Sequence, residues 1–470
     1  LIKNLTDDNS ASGINGALRK VREIYRALCL SRSYSKETIL EAYLNTISFT
    51  GTIQGVQTAA NEYFNKDVSQ LSLWECATIA SITKNPTNYN PYTNPENLIN
   101  RRNFLMYNMW QQGVISEEEY RNAAAQPLVL AETDNTKKSS STTSYFTDAL
   151  IDDVIQALMD EFGYDHSTAE NALFSKGYKI YTTQNYEYQK IAESVFEDLS
   201  NTPYTRTNSK GETEQLQGAI TVIDPYTGYV VAMVGGTGAK TADRGWNWAT
   251  SVRPCGSAAK PISTYAPALD QGVITGASTI DDYPVLELND SPYPKNDNGR
   301  FQGLVTVRRA LVQSLNTCAV RVNMALGTWN SYDFMTSRLG FTTLTQSDSE
   351  QVGAMALGGY ANGVTTEEMA AAYGAFVNDG VYTPPRTFYR VEDSQGNLVC
   401  ENNKESNVAM KATTAYIIRQ TLKSVITSGT GGEARFSGMT IAGKTGTTDE
   451  NRDRYFAGFS PYYSAAVWTG

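Results

Sequence analysis

The chain has 470 residues, 41% hydrophobic, 19% charged and 11% aromatic, a length that predicts two or three domains rather than one core. Its 39 basic and 49 acidic residues give a formal charge of −10, which argues against nucleic acid as a partner, because phosphate binding needs a positive field. One histidine, His166, argues against a Ser-His-Asp enzyme or a His-based metal site, and five cysteines without a CxxC pair against a zinc ribbon or thioredoxin-like chemistry; no metal and no cofactor is called for.

The opening residues, LIKNLTDDNS, read as the interior of a domain whose upstream part lies outside this sequence. No apolar run here approaches the roughly 18 residues of a membrane span. Residues 14–125 read as helical. In GALRKVREIYRALCL, the residues Leu18, Val21, Tyr25 and Leu28 recur at three and four. SKETILEAYLNTI starts at a Ser35 cap and is expected to bury Ile39, Leu40, Tyr43 and Leu44. QLSLWECATIASI and RRNFLMYNMWQQG follow as further helices, separated by a Pro/Asn loop. The polar stretch 132–144 reads as a linker. Helical residues 146–175, a strand at GYKIYTTQ and another helix to about residue 200 make a small connecting module. From Gln217 onward the texture becomes β-rich. GAITVIDPYTGYVVAMVGG predicts a hairpin, and the last thirty or so residues predict three antiparallel strands. With helices between, the strands at both ends are expected to share one sheet.

Three short motifs follow one another in this second part: Ser257-Ala-Ala-Lys260, Ser314-Leu-Asn316 and Lys444-Thr445-Gly446. The first is weak alone. Ser33/Lys36 and Ser81/Lys84 have the same spacing and are expected at the surface. The order of all three carries the signal. A serine hydroxyl needs a base within hydrogen-bond reach, and a lysine three positions on shares its helix face. That lysine must be neutral near pH 7, which burial and a second cation, Lys444, would bring about. Pro261 belongs in a first helical turn, so Ser257 is expected where unpaired N–H groups and the positive end of the dipole favour an oxyanion. TIAGKTGTT reads as a strand, with Gly446 expected to let a substrate backbone approach, and Lys444, Thr445 and Thr447 offering a cation and hydroxyls to a carboxylate.

At these residues the chain resembles the class A, bifunctional penicillin-binding proteins. RPCGSAAKP resembles their nucleophile segment, and GKTGTT with DRYFAGFSPYYSAAVWTG resembles their closing strands. LIKN is similar to the tail of their Gln-Gln-Leu-x-Lys-Asn glycosyltransferase motif, Arg19 to Glu23 to their Arg-Lys-x-x-Glu motif and Ile39 to Asn45 to the next. Arg101-Arg102 falls where the last is expected. The resemblance implies a multidomain fold. A partial, α-helical, lysozyme-like glycosyltransferase domain would occupy 1–131 and a small α+β linker module 132–216. An α/β transpeptidase domain of serine β-lactamase-like fold, an antiparallel sheet flanked by helices, would occupy 217–470.

It further implies that Ser257 attacks the D-Ala-D-Ala bond of a stem peptide with Lys260 as base. Ser314 would pass a proton to the leaving amine, Asn316 would bind a substrate carbonyl, and the N–H groups of Ser257 and Thr447 would hold the oxyanion. β-Lactam antibiotics would acylate the same serine. Lys3, Arg19 and Glu23 would handle the pyrophosphate of lipid II in the whole protein. Without the upstream catalytic Glu motif, this chain is expected not to polymerise glycan. The working place implied is the outer face of the bacterial cytoplasmic membrane, beside the cell-wall machinery and behind an upstream anchor. Ala258-Ala259 replaces the bulky pair common in the family, which predicts a wider mouth. Whether Cys255 and Cys318 pair stays open. A β-lactamase, a D,D-carboxypeptidase and a β-lactam receptor that signals share the motifs, but the first two lack the amino-terminal block and the third needs a transmembrane module.

Overall fold

A computed structural model describes residues 2, 13–47, 49, 53–131, 142–202, 205–207, 211, 213–288, 290–448 and 451–470. The chain divides into two compact units. One takes Leu1–Ser141, Leu158–Lys179 and Asp393–Gly396, the other Thr142–Ala157, Ile180–Glu392 and Asn397–Gly470. Most of the polar stretch expected as a linker, 132–141, lies outside the described residues, as does Lys3.

The first unit holds α1 (Gly13–Ser33), α2 (Lys36–Thr46), α3 (Val56–Phe64), α4 (Leu73–Ile82), α5 (Pro95–Gln111) and α6 (Glu117–Ala124). Local chemistry starts them. Ser35 accepts from the Thr38 N–H, and Ser72 and Glu75 form a reciprocal capping box at α4. Pro95 opens α5, where its missing N–H costs nothing. Ala60, Tyr63, Ile82 and Leu98 are fully buried in one core. The periodic residues of α1 are not. Leu18, Val21, Tyr25 and Leu28 are each at least half exposed. In α2, Tyr43 packs against the core, while Leu40 is exposed and no residue is fully buried, contrary to expectation. The stripe is present, but among the described residues no core closes over it.

Helices α7 (Tyr145–Phe162), α8 (His166–Ser175) and α9 (Tyr186–Glu197) form where expected, with a strand at Lys179–Thr182 between the last two. The centre of the second unit is a five-stranded antiparallel sheet. Its strands are β1 (Gly218–Ile223), β2 (Val230–Val234), β3 (Ala442–Thr447), β4 (Arg454–Phe459) and β5 (Ser464–Thr469), in the order β3-β4-β5-β1-β2. The two ends of the β-rich region therefore pair directly, with Ala465 opposite Val222. Lys444 lies opposite Ala457. Every residue of β2 is buried, as its unbroken VVAMV run requires.

Four helices of this unit matter for the site: α10 (Ala266–Asp270), α11 (Asn316–Leu326), α12 (Val352–Leu357) and α13 (Thr366–Val377). Helix α13 packs against β1, β4 and β5, its small residues allowing close approach. Met369 and Phe376 are wholly buried there, a gain of about 1.5–3 kcal/mol for each such side chain. A further helix, α14 (Ala412–Ser428), packs on β3. The sheet is thus held rigid, and β3 is its edge.

Candidate active site

Ser257 sits in the first turn of a helical run. It begins as a tight 3-10 turn over Gly256–Ala259, widens to π geometry over Pro261–Tyr265 and continues as α10. Pro261 lies in the opening turns, as its missing N–H demands. Wide turns of this kind are frequent at functional sites. Tyr373 of α13 pins the turn by donating its hydroxyl to the Ala258 carbonyl at 2.6 Å.

Lys260, fully buried, ties the first two motifs together. Its Nζ donates to the Ser314 carbonyl at 2.7 Å, to Asn316 Oδ1 at 2.6 Å and reaches Ser314 Oγ at 3.2 Å. Ser314 has a φ of +58°, a left-handed conformation that few non-glycine residues adopt. Its carbonyl and hydroxyl both reach the same ammonium. Asn316 Nδ2 donates to the Lys295 carbonyl at 2.8 Å, so both ends of that amide are engaged.

Lys444 of β3 is also fully buried and donates to the Thr445 carbonyl at 2.9 Å. Burial pushes its ammonium down to about 7. Lys260 is driven well below the usual lysine range, first by burial and then by the charge of Lys444. Two buried cations disfavour each other, and a lysine that gives up its proton becomes a base.

A cavity of about 740 Å³ opens beside these groups, lined by Ser257, Asn316, Thr447, Thr448, Lys295 and Gln351 among others. The edge of β3 away from β4 has no strand partner among the described residues. Ser257, Asn316 and Thr447 thus face the cavity, while Lys260 and Lys444 lie buried and Ser314 is bonded to Lys260.

Several expectations change. The Thr445 hydroxyl is engaged with Thr430 Oγ1 at 2.8 Å, and Thr445 is not among the cavity's lining residues. Gly446 answers to a different crowding from the one expected. A Cβ there would overlap the Cys255 carbonyl and meet Ala258 Cβ at 3.1 Å, so the missing side chain lets β3 lie against the nucleophile turn itself. Gly358, at φ +77°, closes the same turn from α12, where a Cβ would overlap the Gly256 carbonyl. Ala258 and Ala259 are fully buried, so their small size does not widen the mouth. Cys255 and Cys318 are buried free thiols. Ser81 is buried rather than at the surface, its hydroxyl donating to the Ala77 carbonyl at 2.7 Å; Ser33, Lys36 and Lys84 are exposed.

The amino-terminal residues form no comparable cluster among the described residues. Glu23 accepts from Lys20 Nζ at 2.7 Å on α1. Nothing is described for Lys3 or for the side chain of Arg19. Arg102, next to Arg101, is buried and donates to the Gln126 carbonyl at 2.9 Å.

Sequence reasoning missed Thr448, whose only signal was a second threonine after the third motif. It also missed a buried group behind Asn316. Asn296 Oδ1 accepts the Asn316 N–H at 2.8 Å, and its Nδ2 donates to buried Asp282 at 2.7 Å.

Residues 218–469 match the family described as penicillin binding protein transpeptidase domain, and residues 1–110 match the transglycosylase family. Among curated relatives, penicillin-binding protein 1A of Clostridium perfringens (strain 13) is 34% identical over all of this chain and 72% of its own length. Penicillin-binding protein 1A of Clostridium acetobutylicum is 34% identical over 96% of this chain, which spans only 58% of that relative. Among solved structures, penicillin-binding protein 1A from Haemophilus influenzae superposes with a TM-score of 0.67 at 23% identity, over 93% of this chain and 81% of that one. The PonA1 protein of Mycobacterium tuberculosis, solved with penicillin V, gives 0.58 at 24%, over 69% and 84%. The Haemophilus influenzae structure shares the fold over nearly the whole chain: a helical region, then an α/β domain around an antiparallel sheet.

Proposed function

We propose, because the chain belongs to the class A penicillin-binding proteins, that it cross-links peptidoglycan as a D,D-transpeptidase through an acyl-enzyme on Ser257. Neutral Lys260 takes the hydroxyl proton as Ser257 attacks the D-Ala-D-Ala bond of a stem peptide. Backbone N–H groups of Ser257 and Thr447 take up the oxyanion. Ser314, bonded to Lys260, returns the proton to the departing D-Ala amine while Asn316 holds a substrate carbonyl. Lys444 adds positive potential toward the substrate carboxylate, and Thr447 adds a hydroxyl. Thr445, whose hydroxyl shares a hydrogen bond with Thr430 Oγ1, offers that hydroxyl to the substrate carboxylate, and the β3 edge at Gly446 takes the substrate backbone. An amine of a neighbouring stem peptide resolves the acyl-enzyme. β-Lactam antibiotics acylate the same hydroxyl.

The observation that carries this reading is the single Lys260 ammonium shared by Ser314 and Asn316, one helical turn after Ser257. The transglycosylase match supports lipid II polymerisation as a second activity of the whole protein, with Lys3, Arg19 and Glu23 at its pyrophosphate. The work takes place on the outer face of the cytoplasmic membrane with other cell-wall enzymes. Among the described residues no helix is long and apolar enough to cross that membrane.

Intact-mass measurement after penicillin exposure tests the reading. One adduct, mapped to the peptide containing Ser257 and lost in Ser257→Ala, is expected. No adduct on the parent chain removes the proposal. With paired stem peptides the expected product is a cross-linked dimer. Free D-Ala and trimmed monomer alone would make the enzyme a carboxypeptidase instead.

A further inference from the structure

Helix α11 starts at Asn316, and its N-cap residue is Leu315, which makes no side-chain cap hydrogen bond. Leucine cannot accept from the first amides of a helix, and it stands here because its side chain is buried in the core. The cap comes instead from Asn296, twenty residues upstream. Asn296 Oδ1 accepts from the N–H of Asn316 at 2.8 Å and lies 3.5 Å from that of Thr317. The neighbouring Lys295 carbonyl accepts from Asn316 Nδ2 at 2.8 Å. One short segment therefore grips Asn316 by both its main chain and its side chain.

Asn296 could cap the helix equally well or not at all, depending on which way its amide faces. Its other end decides. Nδ2 donates to Asp282 Oδ1 at 2.7 Å and to the Arg300 carbonyl at 2.9 Å. Asp282 is fully buried and only accepts, taking the Gln302 N–H at 2.8 Å and the Thr317 hydroxyl as well. An amide nitrogen must face a carboxylate, so the oxygen must face α11.

We propose that Asn296 is a positioning residue for Ser257 chemistry, capping α11 so that Asn316 and Ser314 meet Lys260, and that Asp282 sets its orientation. This goes beyond the motif residues and rests on Ser257 acylation as its readout. Asn316 Oδ1 is 2.6 Å from Lys260 Nζ, and a displacement of about 1 Å at such a contact costs on the order of 100-fold in rate.

Two variants test it, each compared with the parent chain for the rate of labelling by a fluorescent penicillin. Asn296→Ala removes the cap and strands Asp282. Labelling is expected to slow about 10- to 100-fold at every pH, with the far-UV circular dichroism of the parent. Asn296→Asp keeps an acceptor for α11 but sets two carboxylates against each other, which repel when both are ionised at high pH and share a proton as pH falls. Its labelling, taken as a ratio to the parent, is expected to recover at least fivefold from about pH 8 to about pH 5.5. Cys318 and Tyr265 are the other titratable groups facing Asp282, and burial pushes both up, out of that range. Asp297 and Lys444 act on Lys260 in both proteins and drop out of the ratio, while the new carboxylate raises the pKa of Lys260 in the variant alone, which slows labelling at low pH and so opposes the expected recovery.

Labelling of Asn296→Ala within twofold of the parent overturns the positioning role. A ratio for Asn296→Asp that is flat with pH overturns the part given to Asp282, and the same ratio decides the matter should the alanine variant not fold. A parent chain that penicillin does not label removes the transpeptidase reading, and this inference with it. A labelled parent beside an unaffected Asn296→Ala removes this inference alone.

Discussion

Each unit of the chain buries cations, and it treats them in opposite ways. In the helical unit the Arg102 guanidinium donates to the main-chain carbonyl of Gln126 and reaches that of Ala124 at 3.5 Å. It also stacks 5.8 Å from the Trp74 ring. A guanidinium stays charged in such a place, and its planar donors tie a helix to the chain beyond α6. In the α/β unit, burial disfavours protonation of both Lys260 and Lys444, and the charge of Lys444 adds to it at Lys260. A compact ammonium surrenders its proton under those conditions. Buried arginine keeps its charge and makes a clamp, and buried lysines are driven toward the neutral amine.

Exchanging the two kinds of cation is the strongest way to break that contrast. Lys260→Arg retains charge and donors but has no proton to give up near neutral pH. Penicillin acylation should fall about 1,000-fold with no recovery as pH is raised. In the parent chain the rate should climb with pH while Lys260 deprotonates. A pre-steady-state labelling series across pH reads both, and an arginine variant that keeps the parent's rate would sink the base assignment.

A smaller, thermodynamic effect is expected at the second lysine. Lys444 titrates at about 7 when folded, against 10.5 for an ordinary lysine. Between these values the unfolded chain holds a proton that the folded chain lacks, so stability rises with pH across that window. Lys444→Met should therefore be more stable than the parent below pH 7, with the advantage shrinking toward 10.5. Melting temperatures of the two proteins over that range check the sign. A constant difference would mean that the ammonium is not under strain.

The smallest effect sharpens the contrast from the other side. Arg102→Met should destabilise by about 1–3 kcal/mol through unsatisfied carbonyls, and leave Ser257 labelling unchanged. Denaturant melts and a labelling rate on one preparation suffice.

How much of this was legible beforehand differed by kind of feature. The three motifs, the sharing of one sheet by strands from both ends, and Lys444 as the second cation could be read from residue order, because each depends on local pattern and charge. Asn296 and Asp282 could not. In PYPKNDNGR an asparagine looks like any solvated turn residue, and only tertiary folding sets it against the amide of a helix that begins twenty residues later. Gly446 was visible as a glycine, but not the side on which it is crowded. The stripe of α1 was equally visible as a period of apolar residues, yet a period states what a helix would bury and not whether a partner is present to bury it.

The glycine contacts around Ser257 have a consequence for which positions can vary. The floor of the site is main chain laid on main chain, with β3 and the end of α12 pressed against residues 255–258 at Gly446 and Gly358. Point mutation cannot remodel a carbonyl, and any side chain added at Gly446 or Gly358 would collide with the turn that carries Ser257. Variation that spares this turn is therefore channelled to the rim, where Tyr293, Lys295, Gln351 and Thr448 line the opening.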